Sequence, residues 1–313
     1  MSAPGPADLG TAPRPSPMTI GPRTFAWGER TYVMGILNVT PDSFSGDGLI
    51  RPATGLPADA VPAAVEQARQ MVAAGADLLD VGGESTRPGH APVDAAEEIG
   101  RVIPVVAAVH EALRDTPISI DTTKVVVAEA ALAAGATMLN DVWATGPDSA
   151  MAELAAAAGV PLVVMHNREV VRYDDVVAEV VADLERALER AERAGVARAN
   201  LIVDPGIGFG KTADHNVVLL RELGALRALG RPILLGTSRK STLGLILDLP
   251  PSERVEATIA TTALGIAAGV DIVRVHDVEA NVRAAKVADA IVRGTWRAPA
   301  SGPASQPAEG GPG

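Results

Sequence analysis

The sequence predicts a (β/α)8 barrel, an α/β TIM barrel. Short aliphatic runs alternate with longer stretches of helical period, and the alternation repeats eight times. It fills residues 18–297, the length of such a barrel, which needs ~250 residues. The runs are 32–37 (YVMGIL), 77–81 (DLLDV), 117–120 (PISI), 136–139 (ATML), 161–165 (PLVVM), 200–203 (NLIV), 232–235 (PILL) and 271–275 (DIVRV). They are nearly all aliphatic, as strands buried on both faces are. Among the helical stretches, Ile99, Val102, Ile103, Val106, Val109 and Leu113 recur at i, i+3, i+4 spacing, with Pro104 expected to kink the helix. Val176, Val180, Leu184, Leu188 and Ala191 form one apolar stripe, with Glu and Arg on the opposite face. The segment before the first strand, MTIGPRTFAWGERT, carries Gly-Pro and Trp-Gly turn signals and reads as a β-hairpin closing the barrel bottom. A doubly wound open sheet is the alternative.

Composition limits what the barrel can do. The chain has 313 residues, 47% hydrophobic but only 3% aromatic, so the core is built from Ala, Val, Leu and Ile. Its formal net charge of -11 argues against a nucleic-acid or acidic-membrane surface, while leaving room for a local basic pocket. The absence of cysteine excludes disulfides, thiolate metal sites and a cysteine nucleophile. Residues 1–17 hold no apolar stretch for a secretory signal, and no run is long and apolar enough to span a membrane. A soluble, cytoplasmic protein is expected. Residues 1–17 and 298–313 are rich in Pro, Ala, Gly and Ser and read as disordered tails around a domain of 18–297.

Strand after strand ends in polar residues. Asn38 follows the first, Gly82 to Gly89 the second, Asp121 the third, Asn140 and Asp141 the fourth, and His166 and Asn167 the fifth. Asp204 ends the sixth, Thr237 to Lys240 follow the seventh, and Arg274 and His276 lie at the eighth. In a parallel barrel these ends share one face, where barrel enzymes place their sites. Arg87, Lys240, Arg274 and His276 form a cationic subset suited to an anion such as phosphate. Asp121, Asn140 and Asp204 form an acceptor-rich floor, suited to a heterocycle with an N–H and an adjacent NH2. The stretch PGIGFGKT (205–212) is not a P-loop, because Pro205 stands where the first glycine is required. Asp77 and Asp80 read as structural hydrogen-bonding groups, and His166 as either pocket wall or structural donor.

MGILNVTPDSFSGDG (34–48) and DVGGESTRPG (80–89) resemble the two signature segments of the dihydropteroate synthase family. The resemblance continues through SIDT (119–122), LNDV (139–142), DPGIGFGKT (204–212), GTSRKS (236–241) and DIVRVHDV (271–278). It implies condensation of 6-hydroxymethyl-7,8-dihydropterin diphosphate with p-aminobenzoate, giving 7,8-dihydropteroate and pyrophosphate. By the same resemblance Asp121, Asn140, Asp204 and Lys240 would hold the pterin, with Met165 and Arg274 against its ring. Asn38 would ligate Mg2+, and Arg87, Arg274 and His276 would take the diphosphate. Thr86, Pro88, Phe209, Ser238 and Lys240 would form the p-aminobenzoate slot, with Phe44 closing over it. Asp121, Lys240, Arg274 and His276 would carry the chemistry, and a homodimer is expected. The family usually has Ser-Asp-Gly-Gly where this chain reads Ser45-Gly46-Asp47-Gly48, and often His-Met where it has Met165-His166. Two other readings stay open: a pterin-barrel methyltransferase acting on methyltetrahydrofolate, and a catalytically silent pterin-binding homologue.

Overall fold

A computed structural model describes residues 14–40, 60–84, 93–144, 148 and 150–297. Most of the expected N-terminal tail (1–13), the whole C-terminal tail and the expected site residues Phe44, Thr86, Arg87 and Pro88 lie outside the described residues. Two strands, β1 (Met18–Ile20) and β2 (Arg23–Phe25), pair antiparallel as a hairpin. The turn's first central residue, Gly21, has φ +52°, as a II′-type connection requires.

The barrel strands are β3 (Tyr32–Asn38), β4 (Leu78–Gly82), β5 (Ile118–Asp121), β6 (Met138–Asp141), β7 (Leu162–Met165), β8 (Leu201–Asp204), β9 (Leu234–Leu235) and β10 (Ile272–Val275). Each falls within two residues of its expected place. All pair in parallel in the order β8-β7-β6-β5-β4-β3-β10-β9, and a parallel bridge between Val203 and Ile233 joins the two ends. The sheet thus closes on itself, and the open-sheet alternative falls. β9 is short because Pro232 has no N–H and the Ile233 N–H goes to Asp271 Oδ2 at 3.1 Å instead of to a neighbouring strand.

Helices α1 (Ala60–Ala73), α2 (Ala95–Ala112), α3 (Val125–Ala133), α4 (Ala150–Ala158) and α5 (Val176–Arg193) follow β3 to β7. The second half carries α6 (Ala213–Arg221), α7 (Ser241–Leu247), α8 (Val255–Ala268) and α9 (Val278–Val292). α2 is continuous through Pro104. In α5 the expected stripe is the buried face, and Asp175 caps its start by accepting from the Val177 and Ala178 N–H groups.

Two layers of core result. Aliphatic side chains fill the space between strands and helices, among them Leu37, Leu79, Ile120, Leu139 and Val203. Three of the scarce aromatics, Phe25, Trp27 and Tyr32, lie at the bottom, where they join Met18, Ile20 and the inward residues Met34, Leu78, Met138, Val163, Ile202, Leu234 and Ile272. The hairpin is therefore a plug for the lower end of the barrel. Burial of such side chains contributes about 1.5–3 kcal/mol each, which leaves the opposite rim free to be polar.

Candidate active site

At the C-terminal ends of the strands one cavity is lined by Asp121, Asn140, Val142, Met165, Asp204, Gly206, Ile207, Phe209, Gly236, Lys240 and Arg274. Strands position Asp121, Asn140, Met165, Asp204 and Arg274, because each is within the last two residues of its strand. Loops supply Phe209 and Lys240, and the Lys240 ammonium lies 4.0 Å over the Phe209 ring.

Arg274 organises the floor. Its Nε donates to Asp80 Oδ2 at 2.5 Å and its Nη2 to Asp121 Oδ2 at 2.6 Å, while Asn140 Nδ2 donates to the same Asp80 oxygen at 3.1 Å. Asp80 is thus the structural group it was expected to be, and what it holds in place is two floor residues. Asp121 Oδ1 is buried and, among the described residues, has no hydrogen-bond partner. Asp204 Oδ1 accepts from the Gly206 N–H at 2.7 Å. Burial pushes Asp121 up to about 7, with Arg274 opposing and the Asp80 charge assisting. Burial likewise pushes Asp204 up to about 6 against the Gly206 N–H and the charges of Lys240 and Arg274. Burial alone would depress Arg274, but Asp80, Asp121 and Asp204 more than offset it and hold the guanidinium charged.

A second cluster forms around His276. Its Nδ1 lies 2.9 Å from Ser238 Oγ, its backbone N–H donates to the same hydroxyl at 3.1 Å, and Asn38 Nδ2 lies 3.4 Å from its Nε2. This brings together the ends of β3 and β10 and the turn after β9. That turn is held from behind: Arg239, at φ +58°, forms a two-pronged ion pair with Asp277, and Arg254 donates to the Arg239 and Lys240 carbonyls at 3.0 and 3.2 Å. Arg239 is consequently a brace, and Lys240 is the member of the pair that reaches the cavity. The second loop is tied at its base, where Glu84 accepts from Lys124 Nζ at 2.5 Å and from the Val93 N–H at 3.0 Å. One carboxylate so joins the two ends of the segment that contains Thr86, Arg87 and Pro88.

His166 does not line the cavity. It is wholly buried, with Nε2 3.1 Å from Asp183 Oδ2 on α5, so of its two expected roles the structural one holds. Val142, Ile207 and Gly236 line the cavity without having been singled out in the sequence; apolar or side-chain-free, they carry no chemical signal.

A parallel barrel with a cavity floored by buried carboxylates and an amide at its C-terminal rim, the face where barrel enzymes place their sites, is the class that this fold defines. Residues 34–276 match the family described as pterin binding enzyme. A dihydropteroate synthase of Clostridium beijerinckii is 49% identical over 277 residues, 88% of this chain and 100% of that protein. The dihydropteroate synthase of Clostridium difficile, solved in the presence of pteroic acid, superimposes with a TM-score of 0.80 at 49% identity, over 86% of this chain and 99% of that one. That of Xanthomonas albilineans in complex with 7,8-dihydropteroate gives 0.77 at 40%, over 89% and 98%. The chain belongs to the dihydropteroate synthase family, and it is a transferase.

Proposed function

We propose that this chain condenses 6-hydroxymethyl-7,8-dihydropterin diphosphate with p-aminobenzoate, using the cavity floor for the pterin. The observation that carries the reading is the pairing of two buried carboxylates with an amide around one cavity, one of those carboxylates keeping an unpartnered oxygen. A pterin offers an N–H and an adjacent NH2, two parallel donors for such acceptors. Asp121, Asn140, Asp204 and Lys240 would bind its edge, with Met165 and Arg274 against its face. Ser238, Phe209 and Lys240 would form the described part of the p-aminobenzoate slot, completed by Phe44, Thr86 and Pro88. Asn38, His276, Arg87 and Arg274 would take the diphosphate.

Mg2+ fits these residues in a limited way. No three His, Asp or Glu side chains cluster as a metal site among the described residues. With the Asn38 amide nitrogen toward His276, its Oδ1 is the oxygen a hard cation would take, the remaining ligands being phosphate oxygens and water. When bound, Mg2+ would supply charge that stabilises the departing pyrophosphate. Around it, His276 and the arginines would hold the diphosphate, and Lys240 over Phe209 would set the place of the incoming amine. That amine is neutral near pH 7 and needs no strong base. Its nitrogen bonds to the exocyclic carbon as the C–O bond to pyrophosphate breaks, and its surplus proton leaves to solvent. Positive charge that develops on the carbon is stabilised by the pterin ring and the Asp121 carboxylate, while positioning supplies much of the rate.

The test is pyrophosphate release. With pterin diphosphate and Mg2+, release should depend on p-aminobenzoate and match dihydropteroate one for one. A folded protein that binds the pterin diphosphate yet releases nothing when p-aminobenzoate is added would favour the silent homologue. A homodimer is part of the same reading, supported by exposed apolar side chains on α7 to α9: Leu245, Ile246, Leu264, Val287 and Ile291. Sedimentation velocity should give twice the chain mass, and changing Leu264→Glu should weaken the association. A monomer at micromolar concentration would contradict it.

A further inference from the structure

The loop between β8 and α6 is built around a cation belonging to the chain itself. Gly206, Gly208 and Gly210 have φ of +66°, +84° and +53°. A Cβ on Gly206 would lie 1.9 Å from His166 O, and one on Gly210 2.4 Å from Arg168 O, so the loop is pressed against the chain leaving β7. Tyr173 braces the contact by donating to Gly210 O at 2.8 Å. Lys211 Nζ lies 3.0 Å from Gly206 O, 3.0 Å from Phe209 O and 2.8 Å from His166 Nδ1. A phosphate cradle turns N–H groups inward. Here the carbonyls point inward, which is the opposite polarity and suits an ammonium.

The His166 ring completes the set. Burial, with the Lys211 charge adding to it, pushes His166 down to about 4, so the ring is neutral and has a single N–H. Asp183 accepts that N–H at Nε2, which leaves Nδ1 as an acceptor for Lys211. Three close acceptors therefore meet the three N–H groups of one ammonium, with His166 O a longer fourth at 3.5 Å.

We infer that Lys211 is the positioning residue for the aminobenzoate side of the site: it pins the turn that ends in Phe209 to His166, and through His166 to Asp183 on α5. The inference rests on the reading of Phe209 as a wall of the aminobenzoate slot. Asp121, Asn140 and Asp204 are placed by strand pairing, Asp204 with one further tie to this loop through the Gly206 N–H, whereas the backbone of Phe209 is placed by the loop and its ring lies under Lys240. Loss of the clamp should consequently be felt by p-aminobenzoate far more than by the pterin. Charge matters too, since a neutral amine has only two N–H groups and turns a lone pair toward the third acceptor. Burial draws Lys211 down to about 7, with Asp204 and Asp183 pulling it up and Arg168 and Lys240 pushing it down. Above neutral pH the clamp loosens, in a range where Asp204 and Asp183 stay ionised, Arg168 stays charged and His166 stays neutral.

Lys211→Met keeps nearly the length and removes the donors. In that variant the aminobenzoate KM should rise about tenfold or more, with kcat and the pterin Kd changed little. Amide hydrogen exchange at residues 206–210 should quicken in parallel. Unchanged exchange would overturn the clamp. Faster exchange with an unmoved aminobenzoate KM would overturn its coupling to that substrate, and Phe209→Ala would then show whether the assignment of the ring is at fault. If Lys211→Met does not fold, Lys211→Gln, which keeps a donor and loses the charge, is read in the same two ways, and an aminobenzoate KM and loop exchange both equal to those of the native protein would overturn the inference.

Discussion

Replacing Arg274 with alanine should destabilise the protein by about 3–5 kcal/mol near pH 8, the cost of leaving buried carboxylates without their partner. Asp80 and Asp121 both depend on this guanidinium, at 2.5 and 2.6 Å, and Asp80 is wholly buried. The deficit should depend on pH, and its sign follows from Asp121. Its folded value, about 7, lies above the ordinary carboxylate value, so its stabilising contribution is complete at low pH and is lost as pH rises through that value. Without Arg274 the folded value rises further. The variant's deficit should therefore be largest near pH 8 and smaller near pH 5, where Asp121 is protonated in either protein. Urea denaturation at the two pH values measures this, and a deficit that is equal at both would show that Asp121 is not the group left stranded.

Asp204→Asn should weaken pterin binding by roughly 10- to 150-fold, the equivalent of a charge-assisted hydrogen bond of about 1.5–3 kcal/mol. The fold should be retained, because Asp204 ends β8 and its backbone pairing with Met165 is untouched. The Asn side-chain oxygen can still accept the Gly206 N–H, so the loop keeps that tie. What is lost is the charge and the second acceptor offered to the ligand. An unchanged affinity in a calorimetric titration would remove Asp204 from the floor.

The barrel was legible because its strands are continuous aliphatic runs and its helices have stripes such as that of Val176 to Ala191, both set by neighbours in sequence. The floor was legible for a related reason: Asp121, Asn140 and Asp204 are strand ends, and parallel pairing puts strand ends on one rim. Hidden from sequence was what joins them. Asp80 links Asn140 and Arg274, 60 and 194 positions away, and nothing local announces those bonds. PGIGFGKT shows a further limit. Its spacing excludes a P-loop and says no more, and only the backbone reveals that carbonyls turn inward around the Lys211 ammonium. Arg239 and Lys240 are equally basic and adjacent, and only the positive φ of Arg239 and its pairing with Asp277 separate brace from ligand group.

The central claim is that the floor carboxylates take the pterin's donors, and the protons displaced on binding test it most directly. Near pH 6.5 Asp121 and Asp204, at about 7 and about 6, are both partly protonated. Donors from the pterin favour the ionised forms, so binding should expel protons, on the order of one per pterin. Calorimetric titration in buffers of different ionisation enthalpy counts them, using a pterin whose own ring does not titrate in this range. The account predicts net release near pH 6.5, vanishing near pH 9 and reduced in Asp204→Asn. Binding with no proton exchanged, or with protons taken up, would mean that the pterin does not sit on these carboxylates.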